Sequence, residues 1–416
     1  MKTVRIIVLI SIIVISQTLI AEAQGGSNYS LFGIGDIQGN SNAFYDGMGG
    51  TSIAMPSEHG INPRNPAMWS KTSTTRLLAG YKFNQHILSD ANGFSLNQND
   101  GKVNGVTGLF SIDTSLGISV VFGLVPYSNV SYLIQSPVNV ILDETEVQGK
   151  TEYQGNGGMT SGFIGASVNI FKNLSVGGAV YGNFGIIQNS IQTTLYGRDY
   201  YSASNEKNDH LTGLGFKSGI LYSPFDNFSL GAFYENHNKL TVNREQKFSS
   251  GAVALDTTST CPDFSVTMPV TYGFGVSYQL EKFLFGVDVV LQDFTNFDYN
   301  PGPKTRFRST KQYSLGLSRI GNKSAGAEYL DRVTYNLGGG YRELYYIVNN
   351  QAINEYYVSV GGGFPLLNFG SSFIDVSLAI GSRGTDSNGL IREIFGRLTF
   401  DISIGEIWFK PFKREY

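Results

Sequence analysis

The sequence predicts an all-β fold, a transmembrane antiparallel barrel of about fourteen strands with an N-terminal segment plugging it. Three observations carry that expectation. The first is a period-two alternation that begins near Ser73 and returns in segment after segment. Leu398, Phe400, Ile402 and Ile404 interleave with Arg397, Thr399, Asp401 and Ser403, while Val270, Tyr272, Phe274, Val276 and Tyr278 interleave with Thr271, Gly273, Gly275 and Ser277. Such a period puts each set on its own face of a strand. The second is composition. Charged residues make up only 15% of the chain and there are 51 glycines in 416 residues, whereas soluble domains carry about 25% charge and about 7% glycine. The third is the N-terminus. Lys2 and Arg5 precede an apolar run from Ile6 to Ile15, and Ala21-Glu22-Ala23 supplies a small-x-small cleavage site. Residues 1–23 are therefore expected to be a cleaved signal peptide. The alternative, an N-terminal membrane anchor, is marginal in length.

Residues 24–72 follow the expected cleavage and lack sustained alternation. Leu31, Phe32, Ile34, Phe44, Tyr45, Met48, Met55 and Trp69 make them too apolar for a disordered linker. They need a surface to bury against, and a hatch inside the barrel provides one. Residues 73–416 are assigned to the barrel. The strands are expected over 73–84, 104–112, 115–124, 158–171, 174–190, 207–223, 227–243, 265–280, 283–299, 306–321, 330–344, 354–364, 372–383 and 390–406. Short turns such as Asp113-Thr114, Lys172-Asn173 and Glu281-Lys282 alternate with long loops expected over 85–103, 125–157, 191–206 and 244–264. That asymmetry is typical of periplasmic turns and external loops.

Charges test the faces. Asp288, Arg342, Asp375, Arg383, Arg397 and Asp401 all fall opposite the apolar positions, which makes them lumen charges. Facing lipid at mid-depth, each Arg would cost about 2–4 kcal/mol. By the same logic Leu398→Arg should impair assembly far more than Thr399→Arg, because only the first puts charge into lipid. Aromatic residues near strand ends, among them Tyr222, Phe228, Tyr278, Phe283, Tyr345, Tyr346, Tyr356, Tyr357, Trp408 and Phe409, read as interfacial girdles.

No catalytic set emerges. The four histidines are His59, His86, His210 and His237, and Asp209-His210 is the nearest to an acid–base pair; an exposed loop pair is its commoner explanation. The acidic run Asp143-Glu144-Thr145-Glu146 lacks the ligand spacing of a calcium loop and reads as a solvated tip. Neither metal nor cofactor is expected. The net charge of −3 gives no sign of a nucleic-acid partner. A single cysteine, Cys261, forms no internal disulfide.

The sharpest motif is Asn62-Pro-Arg-Asn65-Pro66-Ala67, in which each proline biases its preceding asparagine away from the helical region and each asparagine can close a turn. Taken alone it is a rigid double turn. With Gly47-Met-Gly49-Gly50-Thr-Ser-Ile-Ala54 before it and the first strand after it, the segment resembles the hatch of the long-chain fatty acid transporter (FadL/TodX) family. Met268-Pro-Val-Thr-Tyr-Gly-Phe-Gly-Val-Ser-Tyr278 is similar to a proline-led strand of the same family. The resemblance implies a monomeric barrel in the outer membrane, inserted by the barrel-assembly machinery, that passes hydrophobic small molecules or lipids by passive diffusion. It also implies a lateral exit. Gly47, Gly49, Gly50, Asn65, Pro66 and Ala67 would be the hatch residues on the ligand path. Gly117, Gly123 and Pro126 on the third strand are the candidates for a kink that opens the wall, because strand glycines permit bends and proline removes a ladder donor. The rival reading is a barrel of the same shape that transports nothing and docks in a secretion machine, like the PorV-type component of type IX secretion. An apolar cavity between hatch and wall would favour transport; a polar or filled lumen would favour docking.

Overall fold

The computed structural model describes residues 25–408 apart from 40–41, 143–144, 197–201, 252–254, 303, 325 and 367–370. The expected leader at 1–23, the acidic pair Asp143-Glu144, Phe409 and the polar tail Lys410 to Tyr416 lie outside the described residues.

The wall is a closed antiparallel barrel of 14 strands. In chain order they are Thr75–Ser89, Ser95–Asp113, Ile118–Pro126 continued by Ser128–Leu142, Thr145–Phe171, Leu174–Leu195, Ser202–Phe225, and Phe228–Asn236 continued by Lys239–Ser250. The eighth has three pieces, Leu255–Thr260, Phe264–Thr267 and Thr271–Leu280. Then come Phe283–Asp293, Thr305–Phe307 with Ser309–Arg319, Thr334–Val348, Gln351–Pro365, Phe373–Gly384 and Arg392–Glu406. The last strand pairs with the first from Thr75↔Glu406 to Ser89↔Arg392, which closes the ring. Closure of this kind satisfies the backbone in lipid.

The alternation sets the faces as expected. Tyr272, Phe274, Val276 and Tyr278 are exposed on the outside, while Gly273, Gly275 and Ser277 turn inward and are buried. Much of what was expected to be long loop is strand instead. Ser95–Asp113, Ser128–Leu142 with Thr145–Phe171, and Leu174–Leu195 with Ser202–Phe225 run on as hairpins past the apolar belt. Beyond lipid nothing demands an apolar face, so the period-two signal fades although the hydrogen-bond ladder continues.

Residues 25–72 contribute only short elements: a 3₁₀ turn at Asn28–Leu31, a two-residue strand at Asp36–Ile37, one helical turn at Ala43–Asp46 and a 3₁₀ helix at Pro66–Lys71. Their partners come from the polar face of strands around the ring. An apolar cluster joins Tyr29, Phe32 and Ile34 to Tyr127, Phe294 and Tyr345 on the side of the long hairpins. Two of the expected girdle residues belong here: Tyr345 and Tyr346 are buried, and the Tyr345 hydroxyl donates to Phe32 O (2.7 Å) and Gly35 O (2.8 Å).

Candidate functional site: a break in the wall beside a bonded N-terminal segment

The N-terminal segment is pinned first by its own asparagines. Asn62 Oδ1 accepts from Arg64 N and Asn65 N, and its Nδ2 donates to Ser52 O. Asn65 Oδ1 caps the helix at Pro66–Lys71 by accepting from Ala67 N, and its Nδ2 reaches Ile53 O and the wall at Ile220 O. These are the local turns that an Asn-Pro pair favours. Pro66 and Ala67 then lie against Gly177, where an added Cβ would come within 2.5 Å of the Pro66 carbonyl carbon.

Glycine meets glycine on the other side. Gly49 has φ +68, a backbone conformation that side chains resist, and its absent Cβ would stand 2.5 Å from the Gly339 backbone. Its N–H donates to Ser359 Oγ at 2.9 Å. Gly47 faces Gly361 in the same way, while Gly50 has φ +79. The wall's triple glycines, 338–340 and 361–363, are therefore places where the N-terminal backbone approaches the strands.

All six expected lumen charges point away from the exposed apolar face, and they divide by sign. Asp288 Oδ2 accepts from Ser52 N (2.6 Å) and Ile53 N (2.9 Å), Asp375 Oδ1 bonds His59 Nδ1 (2.9 Å), and Asp401 Oδ2 accepts from Ala43 N. The three arginines converge on Glu355. Arg383 donates twice to Glu355 Oε2 (2.9 and 2.6 Å), Arg342 reaches the same oxygen at 3.0 Å, and Arg397 lies 3.9 Å from Oε1. Arg383 also bonds Asp36 (2.7 Å) and Ser27 Oγ (2.7 Å), and Arg342 donates to Ile37 O (3.1 Å). Glu393 completes the lattice by accepting from Ser27 Oγ (2.7 Å) and Asn28 N (2.9 Å).

Beside this lattice the wall opens. The ladder between the second and third strands ends at Val106↔Leu124. Above it Asn104 bulges from the second strand, since Gly80 pairs with Gly105 while Tyr81 pairs with Val103. The third strand stops at Pro126, resumes at Ser128 and turns to the N-terminal segment: Ser128 and Asn129 pair with Ile37 and Asp36, and Gly26 N donates to Ser131 O at 3.0 Å. Among the described residues no backbone ladder joins Ser95–Gly105 to Ser128–Leu142. Side chains span the gap instead. Gln98 Nε2 donates to Leu133 O (2.7 Å), Asn129 Nδ2 to Asp100 (2.9 Å), and Lys102 Nζ to Asn129 Oδ1 and to Gly157 O (3.0 Å). Of the three residues expected at an opening, Pro126 borders it. Gly117 instead sits in the turn at the far end of the strand with φ +62, and Gly123 is laddered on both sides to Thr107 and Phe163.

Two interior cavities adjoin the segment. One, of ≈ 100 Å³, has a mixed lining that includes Asp36, Arg64, Glu235, Phe233, Val290 and Leu344. The other, of ≈ 30 Å³, lies behind Pro126, Gly105 and Phe163.

The sequence model of the BamG family matches residues 3–415. The chain belongs to the BamG family. No curated protein matches it. Several solved structures share the fold of this BamG-family barrel at low identity. A FadL homologue of Pseudomonas aeruginosa superposes with a TM-score of 0.60 at 12% identity, covering 88% of this chain and 98% of its own. The toluene transporter TodX of Pseudomonas putida gives 0.57 at 14%, covering 90% and 100%. The toluene transporter TbuX of Ralstonia pickettii gives 0.58 at 12%, covering 88% and 98%.

Two features of the BamG-family chain escaped the sequence reading. Glu355 and Glu393 sit on inward positions of expected strands, so the alternation itself would have flagged them. A second buried group does not follow from alternation so simply: Lys217 Nζ lies 2.7 Å from Glu235, whose other oxygen is 2.5 Å from His237 Nε2, and Asn183 bonds His237 Nδ1. His237 falls in a gap between strand segments. The supposed acid–base pair comes apart, because buried Asp209 binds Arg244 (2.7 Å) and the Tyr299 hydroxyl (2.7 Å) while His210 faces outward.

Proposed function

We propose that this protein is an outer-membrane barrel, exported by a leader cleaved after Ala23, that serves barrel assembly as a docking subunit and keeps its lumen shut. Residues 24–72 act as the hatch. The observation that carries this reading is the filling of the interior. The cavity beside the hatch holds only ≈ 100 Å³ and sets Asp36, Arg64, Glu235 and Arg342 among its apolar side chains, whereas pockets for apolar ligands measure about 300–1,000 Å³ and carry few polar groups. The family name adds a second support, since it points to the barrel-assembly machinery. A hatch held by Glu355, Asp288, Asp375 and Asp401 loses bonded buried charges if it moves, and each uncompensated buried charge costs about 3–5 kcal/mol.

Affinity purification of the full chain from native outer membranes in mild detergent tests the reading. Stoichiometric recovery of the central barrel of the assembly machinery is expected, together with reduced levels of other outer-membrane barrels after depletion. Isolation of the chain alone, with barrel levels unchanged, overturns it.

The missing ladder between the second and third strands favours a second reading: entry of hydrophobic compounds and their release into the bilayer through that gap, with Pro126 at its lip. The solved neighbours carry transporter names. Restored uptake of labelled oleate or toluene in a deletion strain, without co-purifying assembly subunits, selects this reading over the first.

A further inference from the structure

A second irregularity faces the membrane. Phe216 pairs with Asn236 and Gly213 with Leu240, so three residues of the seventh strand, His237 to Lys239, oppose two of the sixth. The eighth strand breaks at the same level, between Thr267 and Thr271. Alternation slips by one in both. The buried positions are Phe233, Glu235 and His237 below the break and Leu240 and Val242 above it, and in the eighth strand Gly273 and Gly275 give way to Met268 and Val266. A bulge twists and bends its strand. Here the bulge and the adjacent strand break border an open cleft of ≈ 970 Å³ on the outer surface, lined by Phe184, Leu214, Asn236, Asn238, Lys239 and Val270 among others.

The cleft lies where the apolar belt ends. On the sixth strand the outward residues Tyr222, Ile220, Phe216 and Leu214 are apolar, with Ser218 among them, and the next outward residues are Thr212 and His210. Leu214, 72% exposed, pairs with Gly182 on one side and lies beside Lys239 on the other, and Lys239 pairs with Thr267. Lys239 is exposed, and among the described residues no acid pairs with it. An ammonium group at headgroup depth, flanked by the amides of Asn236 and Asn238 and standing over Leu214 and Phe184, matches an amphiphile with an anionic head and an acyl chain.

We propose that this cleft binds an anionic membrane lipid, its phosphate on Lys239 and the asparagine amides and one acyl chain along Leu214 and Phe184. Native mass spectrometry of the full-length protein in detergent tests it, with phosphatidylglycerol and phosphatidylcholine added in turn. Phosphatidylglycerol should be retained over phosphatidylcholine. Lys239→Ala should lower that retention about fivefold, the share a lysine supplies at an anionic surface, and Lys239→Arg should restore it. Heat-modifiable migration confirms that each variant is folded, and Lys247→Ala, an exposed lysine elsewhere, should change nothing. Equal retention of both lipids, or retention unaffected by Lys239→Ala, overturns the proposal. Displacement of the lipid by inorganic phosphate alone also overturns it, by reducing the cleft to an anion contact. So does cross-linking of Lys239 to a partner subunit with no lipid retained.

Discussion

Two interruptions of the wall end differently. At Pro126 the third strand leaves its neighbour and the ladder is lost, whereas at Asn236–Lys239 the seventh strand bulges and the ladder resumes one residue later. The difference is a third party. Asp36–Ile37 and Gly26 of the N-terminal segment receive the departing backbone at Ser128, Asn129 and Ser131. Among the described residues no other segment pairs with the seventh strand at Asn236–Lys239, and the neighbouring eighth strand breaks at the same level. Backbone polar groups in a membrane protein must find partners. A strand can therefore leave the wall only where another segment supplies replacement hydrogen bonds; elsewhere it must slip and pair again.

The strongest way to break this comparison is to loosen the third party. Glu355→Ala leaves Arg342, Arg383 and Arg397 without their shared carboxylate, so a loss of about 3–5 kcal/mol is expected. Urea unfolding in micelles measures it. A cysteine at Ser128 should become reactive to a maleimide in this variant, while one at Asn238 should not change. Equal changes at both would dissolve the distinction.

Next in size is the belt itself. Leu398→Arg should cost about 2–4 kcal/mol by placing charge in lipid, read as loss of the heat-modifiable form. Thr399→Arg, expected from the sequence to impair assembly far less than Leu398→Arg, should also impair folding. Thr399 is fully buried and its hydroxyl donates to Asp46 at 2.8 Å, so no room exists for a longer chain.

Gly123→Val is expected to destabilise by about 1–3 kcal/mol, as overpacking does. A Cβ there would stand 2.6 Å from Thr107 Cγ2 and 2.7 Å from Val106 O. The damage should fall on the ladder below the gap and leave maleimide access at Ser128 as in wild type.

The smallest effect belongs to Pro126→Val. The residue restores a donor, but the second strand is already out of reach and the other side pairs with Thr160. A change under about 1 kcal/mol and an unaltered gap are expected. Closure of the gap by this substitution would mean that proline, and not the N-terminal segment, makes the opening.

The sequence by itself determined the ring, its two faces and the inward direction of Asp288, Asp375, Asp401, Arg342, Arg383 and Arg397, because a side chain's face follows from its parity within a strand and lipid enforces that parity. It determined the Asn62 and Asn65 turns for a similar reason: their hydrogen bonds close within a few residues. The tertiary structure alone decided which groups meet. Glu355 gathers arginines from three strands, Gly49 touches Gly339, and Asp36 receives Asn129 across the chain. Tyr345 and Tyr346 carry the same local signal as a girdle residue, yet they are buried against Phe32 and Tyr29. Contacts between separate strands, or between a strand and the N-terminal segment, leave no periodicity to read. They exist because the closed wall turns polar groups of distant strands toward one another and toward the N-terminal segment, where they find partners.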